Sequence, residues 1–406
     1  MMRLVRRLQI ALTILAVAIG ASVAAGPLSS GAIFLLRAAP QFEPDNETPQ
    51  DPPVHKGHTD IGTGLYIRED DDFFIDGVTR PVIRRTYLSG DHASRQFGVG
   101  TTHSGEWFLR GDASNLVWVE LMLSDWGRIR FNRVTPGKSF ATALFQHEST
   151  PTEFYGALLG WVGWEWVMRF ADGRIAIFKA CGPVKHDVCS LIEMRFPGGR
   201  TVSYVRDASG RLTAIRSGGQ SISLEYDDGG RIVRGRHTSG RTTTYEYDDQ
   251  GRLRRQASSD GELRSYGYND RDEMITIAEP GRVIENEFED GRLVKQITRC
   301  ADDDPYTLRL SYTVVDGRVT MNDITENDGT HTVYRFNENH YTLSEIIDAR
   351  GSNPVSITYD RSFSTNIALA MTIRCLGPEG HVIRTVPTSP GLDDEVKRSV
   401  IATECR

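Results

Sequence analysis

The sequence has five cysteines but no Cys-x-x-Cys pair, no His-Glu-x-x-His and no Gly-x-Ser-x-Gly. It therefore lacks the spacings that hold structural zinc, arm a zinc protease or raise a serine on a nucleophile elbow. Its ten histidines are scattered: His331 and His340 flank one apolar stretch, and His92 and His103 flank a Gly-rich turn. Neither pair has a nucleophile or ligand set beside it, so no catalysis, cofactor or metal is expected. Basic residues are dispersed in a chain of net charge -7. Phosphate binding needs them clustered, so no nucleic-acid partner is expected. The acidic runs Asp70-Asp71-Asp72 and Asp302-Asp303-Asp304 lack the alternating acidic and Gly spacing of a calcium loop, and both read as solvated turns.

Glycine is abundant, at 39 of 406 residues, which suggests many turns and an all-β chain. At the N-terminus Arg3, Arg6 and Arg7 precede an apolar run, Leu8 to Ala25, with small residues at Ser22, Ala24 and Ala25. This is the pattern of a cleaved export signal over residues 1–25, an uncleaved anchor being the alternative and the only expected tie to a membrane. The expected location is periplasmic, secreted or at the cell surface. Disulfides persist there, so with an odd number of cysteines at least one is unpaired or pairs between chains. Cys181 and Cys189, across Gly182-Pro183, are the candidate disulfide. Residues 26–57, with Pro40, Pro44, Pro49, Pro52 and Pro53, read as a linker.

From residue 197 the chain repeats. Aromatic anchors recur at Tyr204, Tyr226, Tyr247, Tyr268, Phe288, Tyr312, Phe336 and Tyr359. Several are followed by an acidic turn and Gly-Arg, as in Tyr226-Asp-Asp-Gly-Gly-Arg231 and Tyr247-Asp-Asp-Gln-Gly-Arg252. Two positions before the anchors lie Val202, Leu224, Tyr245, Tyr266, Asn286, Leu310, Tyr334 and Ile357, all apolar except Asn286; one position before, none is apolar. That alternation has the period of a strand with one buried face. A second apolar step follows each turn, at Leu212, Ile232, Leu253, Met274, Leu293, Val319 and Leu343. Each unit is thus strand, turn, strand, turn, and a sheet of more than roughly ten strands must curl, split or close. Its buried face needs a cover: its own far wall, another domain or a guest. Arg211, Arg231, Arg252, Arg292 and Arg318 are expected to pair with acids before the turn, at small gain. The anchors read as packing residues first, with sugar stacking as the lesser reading.

The pattern Tyr-x-x-x-Gly-Arg-Leu/Ile at this spacing resembles the YD repeats of the rearrangement-hotspot (RHS) family and of toxin-complex and teneurin shells. Upstream, Asp60-Ile-Gly-Thr-Gly64, then Arg80-Pro-Val-Ile-Arg84-Arg85-Thr-Tyr87-Leu-Ser89, then Phe97-Gly-Val-Gly100-Thr-Thr-His103 resemble, in order, the module that precedes those repeats. The resemblance covers residues 58 to about 375. It implies an antiparallel β module over 58–196, then a curled or spiral β-strip of hairpins over 197–375, forming a partial shell. By the same resemblance the shell encloses or binds a protein partner and is linked to toxin delivery or intercellular competition; a cell-surface carbohydrate-binding protein is the alternative. The family's C-terminal D-P-x-G-L core motif is absent, which argues against a self-cleaving toxin capsule. The tail, 376–406, shows helical spacing in Leu392, Val396, Val400 and Ile401 after Asp393-Asp394-Glu395, and reads as a helix capping the strip or as a docking peptide carrying Cys405.

Overall fold

In the computed structural model the described residues are 54–55 and 58–405, except 78, 112–116, 125–126, 138, 150–151, 180–188, 349–353, 363–367, 378–379 and 389–393. The expected signal and nearly all of the expected linker lie outside them, as do Cys181 and Leu392. The described residues belong to one compact unit, residues 34–406.

The chain is all-β, and its main sheet is antiparallel throughout. The sheet begins as a ring of eight strands, from Phe108–Gly111 to Cys189–Arg195, in which each strand pairs with the next. The last strand closes on the first, Cys189 opposite Leu109 and Ser190 opposite Phe108. It also pairs with Thr201–Arg206. From there seventeen strands continue as a curled strip to Val382–Thr388. The expected 58–196 module is therefore two objects, the ring and a segment before it, and the strip runs one strand past 375. That segment carries a hairpin of Ile67–Phe74 with Val82–Leu88, extended by Thr101–His103.

The alternation holds along the strip. Residues two before the anchors are buried at Val202, Leu224, Tyr245, Tyr266, Leu310, Tyr334 and Ile357, and Asn286 is buried with them. The turns follow from their residues. Between Tyr247 and Leu253, Asp248 Oδ1 accepts from the backbone N–H of Arg252 at 2.8 Å, and Gly251 sits at φ 79°, a conformation costly for a side chain. Further along, Asp290-Gly291 and Asp316-Gly317 form two-residue turns with positive φ at both positions, which match the twist of hairpin strands.

Most of the repeat hairpins shift register by one residue at the anchor, as at Glu225/Tyr226, Glu246/Tyr247 and Gly267/Tyr268. The register also moves four expected positions. The residue opposite the step Leu212 is Arg206, as Tyr226 is opposite Ile232 and Tyr247 opposite Leu253. Tyr204 therefore stands where Leu224 and Tyr245 stand, and so does Tyr312, because Val314 is opposite the step Val319. In the last unit Arg361, not Tyr359, lies at the register shift and donates to Thr342 O at 2.8 Å. Leu343 is exposed, because Phe336 pairs with Thr342 and Thr342 is the buried step.

One apolar cluster runs from Ile61 to Phe336, with Tyr204, Tyr226, Tyr247, Tyr268, Phe288 and Tyr312 packed against it. A second, of Val355, Ile357, Met371 and Ile373, lies at the far end. There the helix Asp394–Glu404 supplies Val400 and Ile401, Cys405 is bonded to Cys375, and Arg384 pairs with Glu404. The tail thus packs on the second apolar cluster. Cys189 is in a disulfide, while Cys300 is free and exposed.

Candidate functional site: the inner face of the strip

The register shifts decide what the inner face offers. A shift leaves backbone groups of the step residue outside the hairpin ladder, and buried backbone groups need partners. The carbonyl of the step residue is taken by the anchor of the next unit. Tyr226 Oη donates to Leu212 O at 2.6 Å, Tyr247 to Ile232 O at 2.5 Å, Tyr268 to Leu253 O at 2.9 Å and Tyr312 to Leu293 O at 2.7 Å. In the first unit Arg206 Nε does the same to Leu191 O at 3.0 Å. The anchors therefore stitch unit to unit, each bond contributing about 0.5–1.5 kcal/mol. Their rings are packed and their hydroxyls engaged, which leaves no ladder of open faces for a sugar.

In three units the N–H of the step residue bonds to the segment 58–107, which runs along the inner face. Ile232 N–H donates to Gln96 O at 2.7 Å, and Leu293 N–H donates to Gly64 O at 2.9 Å. Met274 N–H donates to Tyr87 Oη at 3.0 Å, while Tyr87 Oη donates to Asp272 O at 2.7 Å. Val99 N–H reaches Gly251 O at 3.1 Å, and Asn322 Nδ2 reaches Ile61 O at 3.1 Å. Phe73 lies so close to Gly235 that a Cβ there would come within 2.4 Å of its ring. A cover for the inner face was expected; the chain supplies it from its own N-terminal segment.

The centre of this interface is ionic. Asp70 and Asp72 are buried in a strand, not in a solvated turn, which overturns the reading of the first acidic run; only Asp71 faces water. A bulge between Asp71 and Phe73 turns both Asp72 and Phe73 inward. Arg85, 3% exposed, donates to Asp72 through Nε at 2.6 Å and Nη2 at 3.1 Å. Tyr245 Oη donates to Asp72 at 2.7 Å and Tyr266 Oη to Asp70 at 3.1 Å. Arg68 pairs with Asp70 at 2.7 Å and also with Glu279, and Arg264 stands 3.6 Å from Asp70. Three carboxylates thus meet three guanidinium groups. Burial alone would push the Asp70 carboxyl up, but Arg85, Arg68 and Arg264 hold it well below the usual carboxylate range. Burial, and then Asp72, push the Tyr245 hydroxyl well up. At the edge of the network burial and Arg68 lower the His58 imidazole to about 4.

The turn arginines divide. Arg211, Arg231 and Arg252 pair with Asp207, Asp227 and Asp248, and lie over the rings of Tyr226, Tyr247 and Tyr268 at 4.9, 4.7 and 5.1 Å. Arg292 instead packs its stem on Gly64, and Arg318 reaches Glu338 O. Asp302, Asp303 and Asp304 lie exposed between strands, as expected. No group of residues suited to a metal is found among the described residues.

Sequence reasoning missed a third column. Three residues after each step stand Ile215, Gly235, Gln256, Ile277, Gln296, Asn322 and Glu345, all buried. A recurring Gln, Asn or Glu at one phase of a half-buried strand was the available signal that something polar faces it.

An RHS Repeat model matches residues 226–262, and a domain of unknown function, DUF6531, matches residues 58–131. The chain carries an RHS repeat. No curated protein matches the sequence. Among solved structures, the TcdB2-TccC3-TEV crystal structure is 11% identical at a TM-score of 0.35, covering 80% of this chain and 23% of that one. The Tc holotoxin pore of Photorhabdus luminescens is 10% identical at a TM-score of 0.34, covering 82% and 23%. A porin-like protein from Bacteroides uniformis is 11% identical at 0.18, covering 57% and 91%. The RHS-repeat chain thus spans about a quarter of the length of the toxin-complex chains it resembles. None of its helices among the described residues is long and apolar enough to cross a membrane.

Proposed function

We propose that this RHS-repeat protein is an exported, non-catalytic scaffold that binds a protein partner on its outer surface or at its ends, in the service of toxin delivery or intercellular competition. One observation carries the choice of binding over enclosure: the inner face from Ile232 to Asn322 is occupied by the chain's own segment 58–107, through backbone bonds and a buried ion network. A guest on that face would have to displace charges that are costly to leave unpaired. Export is supported by the N-terminal sequence pattern and by the disulfide-bonded cysteines.

A covalent lock tests this reading. Thr79 Oγ1 and Ser217 Oγ lie 3.5 Å apart across the interface, so Thr79→Cys with Ser217→Cys can fasten the segment to the strip. Proteins encoded beside this chain are then titrated against the locked and unlocked forms by calorimetry. Equal affinity is expected. Binding that vanishes on locking and returns on reduction shows that a guest replaces the segment, and the enclosing reading stands instead.

A further inference from the structure

Where the strip leaves the ring, its inner face is not completely filled. A half-open cavity of about 110 Å³ lies there, walled by Trp107, Met194, Phe196 and Val202 together with Ser104 and Tyr204. Ser104 and Trp107 belong to the inner segment, Met194 to the last strand of the ring, and Val202 and Tyr204 to the first strand of the strip. Tyr204 makes this more than a packing gap. It faces Ile215, at the phase where Tyr245 faces Gln256 and Tyr266 faces Ile277. At that phase Tyr245 and Tyr266 send their hydroxyls across the inner face to Asp72 and Asp70, and Tyr312 gives its own to Leu293 O. No such acceptor meets Tyr204, whose hydroxyl has no hydrogen-bond partner among the described residues. The register is the reason: Arg206 has taken Leu191 O, the carbonyl that a tyrosine takes in later units. Burial pushes the Tyr204 hydroxyl up to about 12, so it keeps its proton and remains a donor.

We propose that this cavity binds a small, neutral, apolar molecule with one acceptor oxygen, such as a cyclic ketone, its oxygen on the Tyr204 hydroxyl and its hydrocarbon against Trp107, Met194 and Phe196. Size sets the scale, since an apolar cavity of about 150 Å³ holds benzene. A body of about six or seven non-hydrogen atoms therefore fits with one edge at the opening. Charge sets the class. Arg206, the cation beside Tyr204, is spent on Leu191 O, Gly210 O, Gly105 O and Glu106, which leaves nothing for an ionic ligand. Water is a poor occupant, because an enclosed water needs about two to four polar partners. The Ser104 hydroxyl already donates to Val82 O and accepts from Arg84 N–H, so among these side chains Tyr204 alone has a hydroxyl to offer. Because the walls come from the segment, the ring and the strip, an occupant ties the three together. This site does not depend on the protein partner proposed above.

Titration of the full chain with cyclohexanone tests it, followed by NMR of carbon-13-labelled methionine methyl groups. The Met194 signal, assigned by its loss in Met194→Leu, should shift saturably with a Kd on the order of 1 mM, which a ligand of about seven non-hydrogen atoms allows. Methylenecyclohexane has the same shape without the acceptor and serves as the second probe. Tyr204→Phe removes only the hydroxyl. It should weaken cyclohexanone about three- to tenfold, the worth of one neutral hydrogen bond, and leave methylenecyclohexane unchanged. A merely structural role for Tyr204 would move both probes alike. No saturable shift at Met194 with cyclohexanone up to about 20 mM overturns the proposal, as does any result in which Tyr204→Phe fails to discriminate between the two probes.

Discussion

The inner face of the strip is covered twice, by unlike means. From the first repeats to Asn322 the cover is a hairpin segment held by backbone bonds and by Asp70, Asp72, Arg68 and Arg85. Beyond Val355 it is one helix, held by apolar side chains and a disulfide. The first cover is specified by direction, since each charge and each N–H has one partner in a fixed place. The second is specified by connectivity, since a short apolar contact needs a covalent bond to hold it. The near cover should therefore fail when a single partner is deleted or protonated, and the far one when the tether is cut.

The largest effect is expected from Arg85→Ala. It leaves Asp72 and Asp70 buried with too few cations, and breaking a buried pair from one side costs about 3–5 kcal/mol. Chemical denaturation should show the loss, and hydrogen exchange should place it in the hairpin 67–88. Cys375→Ser with Cys405→Ser comes next. The bond spans 30 residues, for which the loop-entropy relation gives about 3–4 kcal/mol. Its loss should raise exchange in Val355–Arg361 and leave the hairpin untouched. If both variants loosen both ends equally, the two covers are one cooperative unit and the contrast fails.

Acid should separate the ends further. His58 is lowered in the folded chain from 6.5 to about 4 by burial and Arg68. Between those values the unfolded chain binds the proton more readily, so this contribution is full above pH 6.5 and is lost as pH falls toward 4. A loss on the order of 2 kcal/mol is expected, allowing for partial exposure. Asp70, depressed in the folded chain, contributes stability above its unfolded value near 3.8 and loses it at lower pH. The near cover should thus loosen first as pH drops, while the far apolar cluster holds. His58→Asn, whose side chain tolerates the positive φ at that site, should flatten the step between pH 6.5 and 4. An unchanged melting profile over that range in the parent chain would count against the assignment.

The strip was legible because its signal is local: period-2 alternation and Asp-Gly turns state the strand and its buried side within twenty residues. What was illegible is pairing across distance. Asp72 and Tyr245 are 173 residues apart, and an acidic triplet reads as a solvated turn until Arg85 and a facing tyrosine are beside it. Yet Arg68, Asp70 and Arg85 share a parity along their strands, and a strand that places charges inward at period 2 is announcing an ionic face. The frame error at Tyr204, Tyr312 and Tyr359 has a similar cause. Aromaticity was followed where function follows the register, and at the first and last units arginine does the tyrosine's work. Cys375 with Cys405 was equally hidden, since nothing local predicts which strand a tail helix will meet.

The smallest effect tests the stitching itself. Tyr247→Phe removes only the hydroxyl that donates to Ile232 O, with the ring still under Arg231. The acceptor is a neutral carbonyl, so about 1 kcal/mol is expected, at the mean for one hydrogen bond. Tyr245→Phe, two residues earlier, removes a hydroxyl bonded to buried Asp72 and should cost more, about 1.5–3 kcal/mol, because its acceptor is charged. The pair differs by two positions and one face of one strand. If stitching between units and holding of the inner segment are separate jobs, Tyr247→Phe should raise exchange at the step Ile232 and its neighbours, and Tyr245→Phe in the hairpin 67–88. Equal costs with the same exchange pattern would mean that the anchors and the ion network stabilise the chain as a single body.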